Sequence, residues 1–332
     1  MASAVEPDRE GHDRDGASDG SGGTDGADGS TDGTGKTDGD DDAHDGRQSA
    51  GVADDELYTR KRTVLITGCG SAIGRATAEA FLREDWFVVA TARDPDDLAT
   101  LGEAGCETAT LDVTDPEAVL DVVETTLDRT GAIDCLVNGE GYARLGPLED
   151  VTMADLHAQF DVNVYGPHRL VRAVLPHMRS RGEGRIVNVS SVFGRLSAAG
   201  AGPYAGSKHA LEAMSDALRA EVDEFGIDVV LVQPGPVRSR LASRAVDEPP
   251  TSRRTPAYGD LYDLVADLRL LGDDGPVTVE PREVAGAVLH AATCPDPPAR
   301  YPVGPVSNVG QYARFLPDDV RDSLYDLLRR LV

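Results

Sequence analysis

Tyr204 and Lys208 stand four residues apart at the start of a helical stretch, so a phenol and an ammonium share one face and can meet over one ligand. A free phenol titrates near about pH 10, too high for a base at neutral pH, and a neighbouring cation favours its charged form. Such a pair can trade a proton with a bound ligand. Lysine is rare in this chain: only Lys36, Lys61 and Lys208 occur, against 29 arginines. That one of them falls at this offset from a tyrosine weighs against the bland alternative, an aromatic ring that merely neighbours a cation. Ser191 lies 13 residues before Tyr204, just past a strand, at the carboxyl edge where open α/β sheets bind ligands. Ser190 is the competing hydroxyl and points the opposite way if the strand continues. Asn163 interrupts the preceding long helix and can point at the same crevice.

A second group sits near the start of the ordered pattern. Thr67-Gly68-Cys69-Gly70-Ser71-Ala72-Ile73-Gly74 follows an apolar strand and opens a helix. Small residues there let the backbone turn sharply and approach a pyrophosphate, which the helix N-terminus attracts. Ile73 breaks the common G-x-G-x-x-G fingerprint, but T-G-x-x-x-[AG]-x-G fits, with Gly68, Ala72 and Gly74 in the small positions. A plain strand-to-helix corner is the alternative. The second strand ends Thr91-Ala92-Arg93-Asp94, with Ala92 where an acid would hold the ribose hydroxyls of NAD. The Arg93 guanidinium suits a 2′-phosphate and favours NADP, with NAD possible; the alternative is a surface charge neutralised by Asp94. Asp112, in Leu111-Asp112-Val113 after the third strand, is placed either to accept from an adenine amino group or to cap the next helix. His157, His168, His177, His209 and His290 form no ligand pair, and no metal site is expected. The Arg169, Arg172, Arg179 and Arg181 run reads as a solvated helix face.

These side chains need elements to hold them. Val64 to Ile66, Phe87 to Val89, Thr108 to Leu111, Ile133 to Val137, Ile186 to Val189, Val229 to Val232 and Tyr301 to Val303 read as strands. Helical stretches alternate with them over Ile73 to Arg83, Pro116 to Thr130, Ala154 to Met178 with a break near Pro167, Tyr204 to Phe225, and from Pro281 to Ala292. Residues 236 to 280 read as a long loop with an inserted helix from Tyr258 to Leu271, and an amphipathic helix is expected from Pro317. The order predicts an α/β fold: one Rossmann-like, doubly wound domain over residues 57–332 with a parallel sheet of about seven strands and right-handed crossovers.

Composition bounds the function classes. The chain has 332 residues, 58 acids and 32 bases. Residues 1–56 hold 17 of the acids, four bases and 12 of the 36 glycines without one aromatic side chain, and are expected to be disordered. A surface this acidic repels phosphate backbones, so nucleic acid is a poor partner. No apolar run approaches 18 residues and no basic stretch precedes an apolar one at the N-terminus, which predicts a cytoplasmic protein without a membrane span. Cys69, Cys106, Cys135 and Cys294 are widely spaced and read as small buried groups. The excess of Asp, with few lysines, resembles halophilic proteins; a GC-rich genome gives the same Arg bias.

The motifs together resemble the short-chain dehydrogenases/reductases, in the single-domain group with a Y-x-x-x-K site. The resemblance rests on Thr67 to Gly74, Asn138-Gly139-Glu140-Gly141 for N-N-A-G, Asn163, Ser191, Tyr204 to Lys208, and Pro234-Gly235-Pro236-Val237-Arg238-Ser239 for P-G-x-V-x-T. It is dense from about residue 63 to 240 and thinner beyond. It implies an oxidoreductase that interconverts a carbonyl and an alcohol with NAD(P), its substrate a small, apolar molecule. Tyr204 would be the general acid/base and Ser191 would orient the substrate oxygen. Lys208 would also hold the nicotinamide ribose, and Asn163 would support a proton-carrying water. The dinucleotide would rest on Gly68, Gly70, Ser71, Ile73, Gly74, Arg93, Asp112, Val113, Asn138, Gly139, Tyr204, Lys208, Pro234, Gly235, Val237 and Ser239. Family members pair their long helices, which implies a homo-oligomer, a dimer or tetramer. The chain departs from N-N-A-G at Gly139, which removes a side chain expected to brace the sheet, and at Glu140, a carboxylate near the cofactor that must find a cation or swing outward. A non-catalytic NADP(H)-sensing regulator is the alternative function. A nucleotide-sugar epimerase would want a glycine where Ser71 stands.

Overall fold

A computed structural model describes residues 60–238, 254–274, 277–312 and 315–320. The expected tail over 1–56, Ser239, and most of the helix expected from Pro317 lie outside the described residues. Seven strands form one parallel sheet in the order β3-β2-β1-β4-β5-β6-β7. They are β1 (Thr63–Ile66), β2 (Phe87–Ala92), β3 (Glu107–Thr110), β4 (Cys135–Asn138), β5 (Gly184–Val189), β6 (Ile227–Pro234) and β7 (Arg300–Val303). The helices are α1 (Ala72–Arg83), α2 (Ala99–Glu103), α3 (Pro116–Thr130), α4 (Met153–Phe160), α5 (Gly166–Arg181), α6 (Gly202–Val222), α7 (Gly259–Asp274), α8 (Pro281–Thr293) and α9 (Pro305–Gly310).

Strand residues alternate between two cores. Val64 and Ile66 pack with Phe81 of α1 and Val284 and Val288 of α8. Leu65, between them, faces the opposite way and packs with Val119 and Val123 of α3 and Leu170, Val174 and Met178 of α5. Because successive strand side chains point to opposite faces, β-branched runs buried on both sides are what a sheet sandwiched by helices requires. Each such side chain contributes roughly 2 kcal/mol of burial. The helices start where the sequence offers a cap: Ser71 accepts from the Gly74 N–H, and Asp115 accepts from Glu117 and Ala118 ahead of Pro116.

The chain winds outward from β1 to β3 and then returns to lay β4 on the other side of β1. That reversal opens a crevice at the carboxyl ends of the strands. The break expected near Pro167 falls earlier, in a π turn over Asp161–Tyr165, and Pro167 instead stands in the first turn of α5. The helical run is continuous from Met153 to Arg181, and the wider π turn lies directly ahead of the proline.

The amino ends of β1 and β4 are tied by Asp134. It accepts from Arg60 Nη1 and Nη2 at 2.8 and 2.6 Å, from the Thr63 N–H at 2.6 Å and from Arg181 Nη1 at 3.0 Å. Burial alone would raise its pKa, but these donors hold the carboxyl below the usual carboxylate range. Asp134→Ala should therefore cost about 2 kcal/mol at neutral pH, measured by urea unfolding. The sign follows from the depressed folded pKa. The contribution is complete above the unfolded value and is lost as pH falls through the folded one, so wild type and variant should converge in acid.

Candidate active site

Ser191, Tyr204, Lys208 and Asn163 meet at the carboxyl edge of the sheet. Ser191 follows β5 and caps a short turn over Val192–Gly194, its hydroxyl accepting from the Phe193 N–H at 3.2 Å. The same hydroxyl shares a hydrogen bond with the Tyr204 phenol. Ser190 points the other way, beside the Glu212 carboxylate. Tyr204 and Lys208 lie in the first two turns of α6, both buried. The Lys208 ammonium sits 5.9 Å from the centroid of the Tyr204 ring and donates to the Val189 carbonyl at 2.9 Å. Phe193 packs its edge against Tyr204 at 5.8 Å between centroids. With Ala143 and Leu145 these rings form a small apolar cluster around the phenol.

Asn163 is fully buried in the π turn. Its Nδ2 donates to the Tyr142 carbonyl and to Ser207 Oγ, each at 3.0 Å, and its Oδ1 accepts from the Tyr142 N–H at 3.1 Å. Gly141 passes so close that a Cβ there would lie 3.2 Å from Asn163 Oδ1 and 3.5 Å from Lys208 Nζ. The π turn, which adds a residue to a helical turn, sets Asn163 inward at this point. Gln159, which sequence reasoning missed, holds the same loop: its Nε2 donates to the Tyr142 carbonyl at 2.7 Å and its Oε1 accepts from the Arg144 N–H at 2.6 Å.

Burial pushes the Tyr204 phenol above its ordinary value, and the Ser191 hydrogen bond opposes that rise. The phenol is therefore protonated at neutral pH, a state suited to giving a proton. Burial pulls Lys208 down to about 8, with Glu212 acting in the opposite sense.

The dinucleotide cradle is a second cluster, beside β1. A Cβ on Gly74 would lie 2.2 Å from the Gly68 carbonyl oxygen, so glycine lets the turn close upon the first turn of α1. Gly68 has φ +79, and a Cβ there would lie 2.7 Å from the Gly139 carbonyl oxygen. Gly70 faces Asp97, and Ser71 also donates to the Gly68 carbonyl at 2.7 Å. Ile73, half-buried, packs on the core of the α1 face. This narrow turn at a helix N-terminus fits a pyrophosphate. Arg93 stands just past β2 and mostly exposed, with Glu140 Oε1 3.9 Å from its Nε, so the Glu140 carboxylate does find a cation. Asp112 Oδ1 accepts from the Thr114 N–H and hydroxyl, while Asp115 caps α3. Burial works against charge on Asp112, but Thr114, Arg93 and Arg169 hold its pKa below the ordinary value.

Three of the residues expected at the dinucleotide also have roles within the fold. Asn138 turns its side chain into the sheet, where Nδ2 donates to Asn188 Oδ1 at 2.7 Å and Asn188 in turn donates to Ser215 at 2.8 Å. The brace assigned to position 139 is thus made by Asn138. Gly139 is instead required by its backbone, since a Cβ would lie 2.6 Å from the Thr67 carbonyl oxygen. Val113 is buried in the opposite core and packs on Gly166, so its side chain faces away from the crevice. Pro234 ends β6, Gly235 donates to the Val303 carbonyl at 2.9 Å, and Val237 bridges to Val279 beyond it. The helix expected from Tyr258 to Leu271 is α7, and it is pinned beside the site: Thr255 Oγ1 and Tyr262 OH each donate to Asp150 at 2.6 Å.

A short chain dehydrogenase family profile matches residues 62–249. The uncharacterised oxidoreductase YbbO of Escherichia coli K12 is 37% identical over 276 residues, covering 81% of this chain and 97% of that one. An NADPH-dependent 3-dehydrocapnine reductase of Ornithobacterium rhinotracheale is 32% identical over 274 residues, covering 80% and 96%. A crystal structure of a short-chain dehydrogenase from Streptomyces avermitilis superposes with a TM-score of 0.68 at 35% identity, covering 80% of this chain and 95% of that one. With the seven-stranded parallel sheet and the Ser-Tyr-Lys grouping at its carboxyl edge, these matches show that the chain belongs to the short-chain dehydrogenase family.

Proposed function

We propose that this protein is an NADP(H)-preferring oxidoreductase that interconverts a carbonyl and an alcohol on a small apolar substrate. The carrying observation is the buried Ser191–Tyr204–Lys208 cluster, in which a protonated phenol and a serine hydroxyl converge. Tyr204 gives its proton to the substrate oxygen during reduction and takes it back during oxidation. Ser191 hydrogen-bonds the same oxygen and fixes its position. Lys208 places a cation beside the phenol, and Asn163 holds the loop that closes over the lysine. The nicotinamide, when bound, supplies or accepts the hydride. The apolar lining of Ala143, Leu145 and Phe193 supports an apolar substrate.

Arg93 supports NADP, as does the cofactor named for the Ornithobacterium relative. Arg93→Ala should weaken NADPH binding about tenfold while NADH changes less than about twofold, read by quenching of protein fluorescence. An unchanged preference removes Arg93 from cofactor choice. We infer a cytoplasmic homo-oligomer; among the described residues, no helix is long and apolar enough to cross a membrane. The reaction is tested with NADPH and a panel of ketones and aldehydes at high salt, following loss of reduced-nicotinamide absorbance. NADPH binding without turnover on any of them would favour a sensor of the NADP(H) pool.

A further inference from the structure

The helix carrying Tyr204 and Lys208 also carries a buried carboxylate, Glu212, one turn beyond the lysine and 4% exposed. Its carboxylate gathers partners from separate elements. Gln233 of β6 donates to Oε1 at 2.8 Å, and Arg300 of β7 donates to Oε2 at 3.0 Å. Arg195, directly after the Ser191 turn, brings its Nε to 3.4 Å from Oε2. The turn crosses the carboxylate stem so tightly that a Cβ on Gly194 would lie 2.8 Å from Glu212 Cγ. Arg300 is shared with Asp216 on the next turn of α6, at 2.6 and 2.7 Å.

The groups facing Lys208 are the Val189 carbonyl of β5, Asn163 of the π turn, the Gly141 backbone, and Tyr204 and Glu212 of its own helix. Those facing Glu212 are Ser190, Arg195, Gln233, Arg300 and Asp216. Among the described residues no carboxylate bonds the Lys208 ammonium directly, so Glu212 is the nearby negative charge available to it. A buried ammonium without a bonded counter-ion is held charged by whatever field surrounds it.

We propose that Glu212 is a positioning residue for the carbonyl–alcohol reaction, its carboxylate clamping the Ser191 turn to α6 and supplying the negative field that keeps Lys208 protonated. The clamp explains why a carboxylate is buried here at all: removing it leaves Arg195 in a dry site without its partner. The reading rests on the proposed function only for its link to turnover, since the field on Lys208 is measurable without any substrate.

The chain's three lysines make that measurement simple. With lysine labelled at 13Cε, NMR of the full chain gives three resonances to titrate, and Lys208→Met assigns one of them by its loss. In Glu212→Gln the Lys208 midpoint should fall by about one pH unit, because removing a nearby negative charge eases proton loss. Arg195→Met should move it the opposite way. Asp216→Asn should move it by no more than about 0.3 unit, since that carboxylate is half-exposed and two turns from the lysine. Glu212→Gln should also lower kcat about tenfold with NADPH binding unchanged, as Ser191 loses its support. A Lys208 midpoint unmoved in folded Glu212→Gln, or one moved in the same direction by Arg195→Met, overturns the proposal. Should Glu212→Gln not fold, the direction of the Arg195→Met shift decides. An NMR shift without turnover on any carbonyl would leave the field of Glu212 standing and refute the enzymatic reading instead.

Discussion

Tyr204→Phe should lower kcat/KM for every carbonyl reduced by about a thousandfold, because the substitution deletes the proton donor and almost nothing else. The ring keeps its burial, its edge contact with Phe193 and its place beneath the Lys208 ammonium. What is lost is one oxygen and its hydrogen bond with Ser191, about 1 kcal/mol of stability. NADPH affinity, measured by fluorescence, should stay within about twofold, which separates a chemical defect from a binding defect. The wild-type pH dependence carries the sign. A phenol pushed above its ordinary value by burial is protonated through neutrality, so reduction should hold level until the phenol titrates and then fall. Oxidation needs the ionised form and should rise across the same range. In the Phe variant both limbs should vanish from the residual rate. Retained activity, or retained limbs, would reject Tyr204 as the acid.

Much of the arrangement that makes this test possible is legible in the chain itself, and the exceptions have physical causes. Five of the seven strands, β1, β2, β4, β5 and β6, are legible as short apolar, mostly β-branched runs, because a strand covered on both faces needs apolar residues at consecutive positions. Caps such as Asp115 and Thr152 are legible because their hydrogen bonds reach only two or three residues along the chain. The π turn falls on Asn163, the residue read as interrupting the long helix, whereas the strong local signal of Pro167 lies just after it, in the first turn of α5. The hydrogen bond from the Asn138 side chain was not legible, since its partner, Asn188, lies 50 residues away on a strand whose register no local pattern reveals. Glu212 was overlooked for the same reason: its partners Gln233 and Arg300 lie 21 and 88 residues away. Its one local signal was an acid exactly one turn beyond Lys208 on a helix face otherwise turned inward. Glu140 was recognised as a misfit, and its resolution with Arg93 required the β2 tip and the β4 loop to be side by side.

Lys208→Met should cost activity and add stability together. The ammonium is buried against the Val189 carbonyl, and burial holds its pKa at about 8 despite Glu212. A lysine depressed from its usual value of about 10.4 binds fewer protons folded than unfolded between those two points. Stability therefore rises with pH across that window, and below it the charged lysine imposes its full cost, roughly 3 kcal/mol. Methionine removes that cost and fills similar volume, but leaves the Val189 carbonyl without its donor, a loss of about 1 kcal/mol. The variant should thus be about 1–2 kcal/mol more stable at pH 7 by urea unfolding, with the gap closing as pH climbs past 8. Turnover should fall by about 10²-fold or more, since the phenolate formed in the reaction loses its neighbouring cation in a buried site. This opposition is the signature of a charge held where the chemistry needs it at the expense of the fold. A Lys208→Met protein that is both inactive and less stable than wild type would instead make the ammonium a structural tie to β5, and the assignment of a chemical role to it would fall.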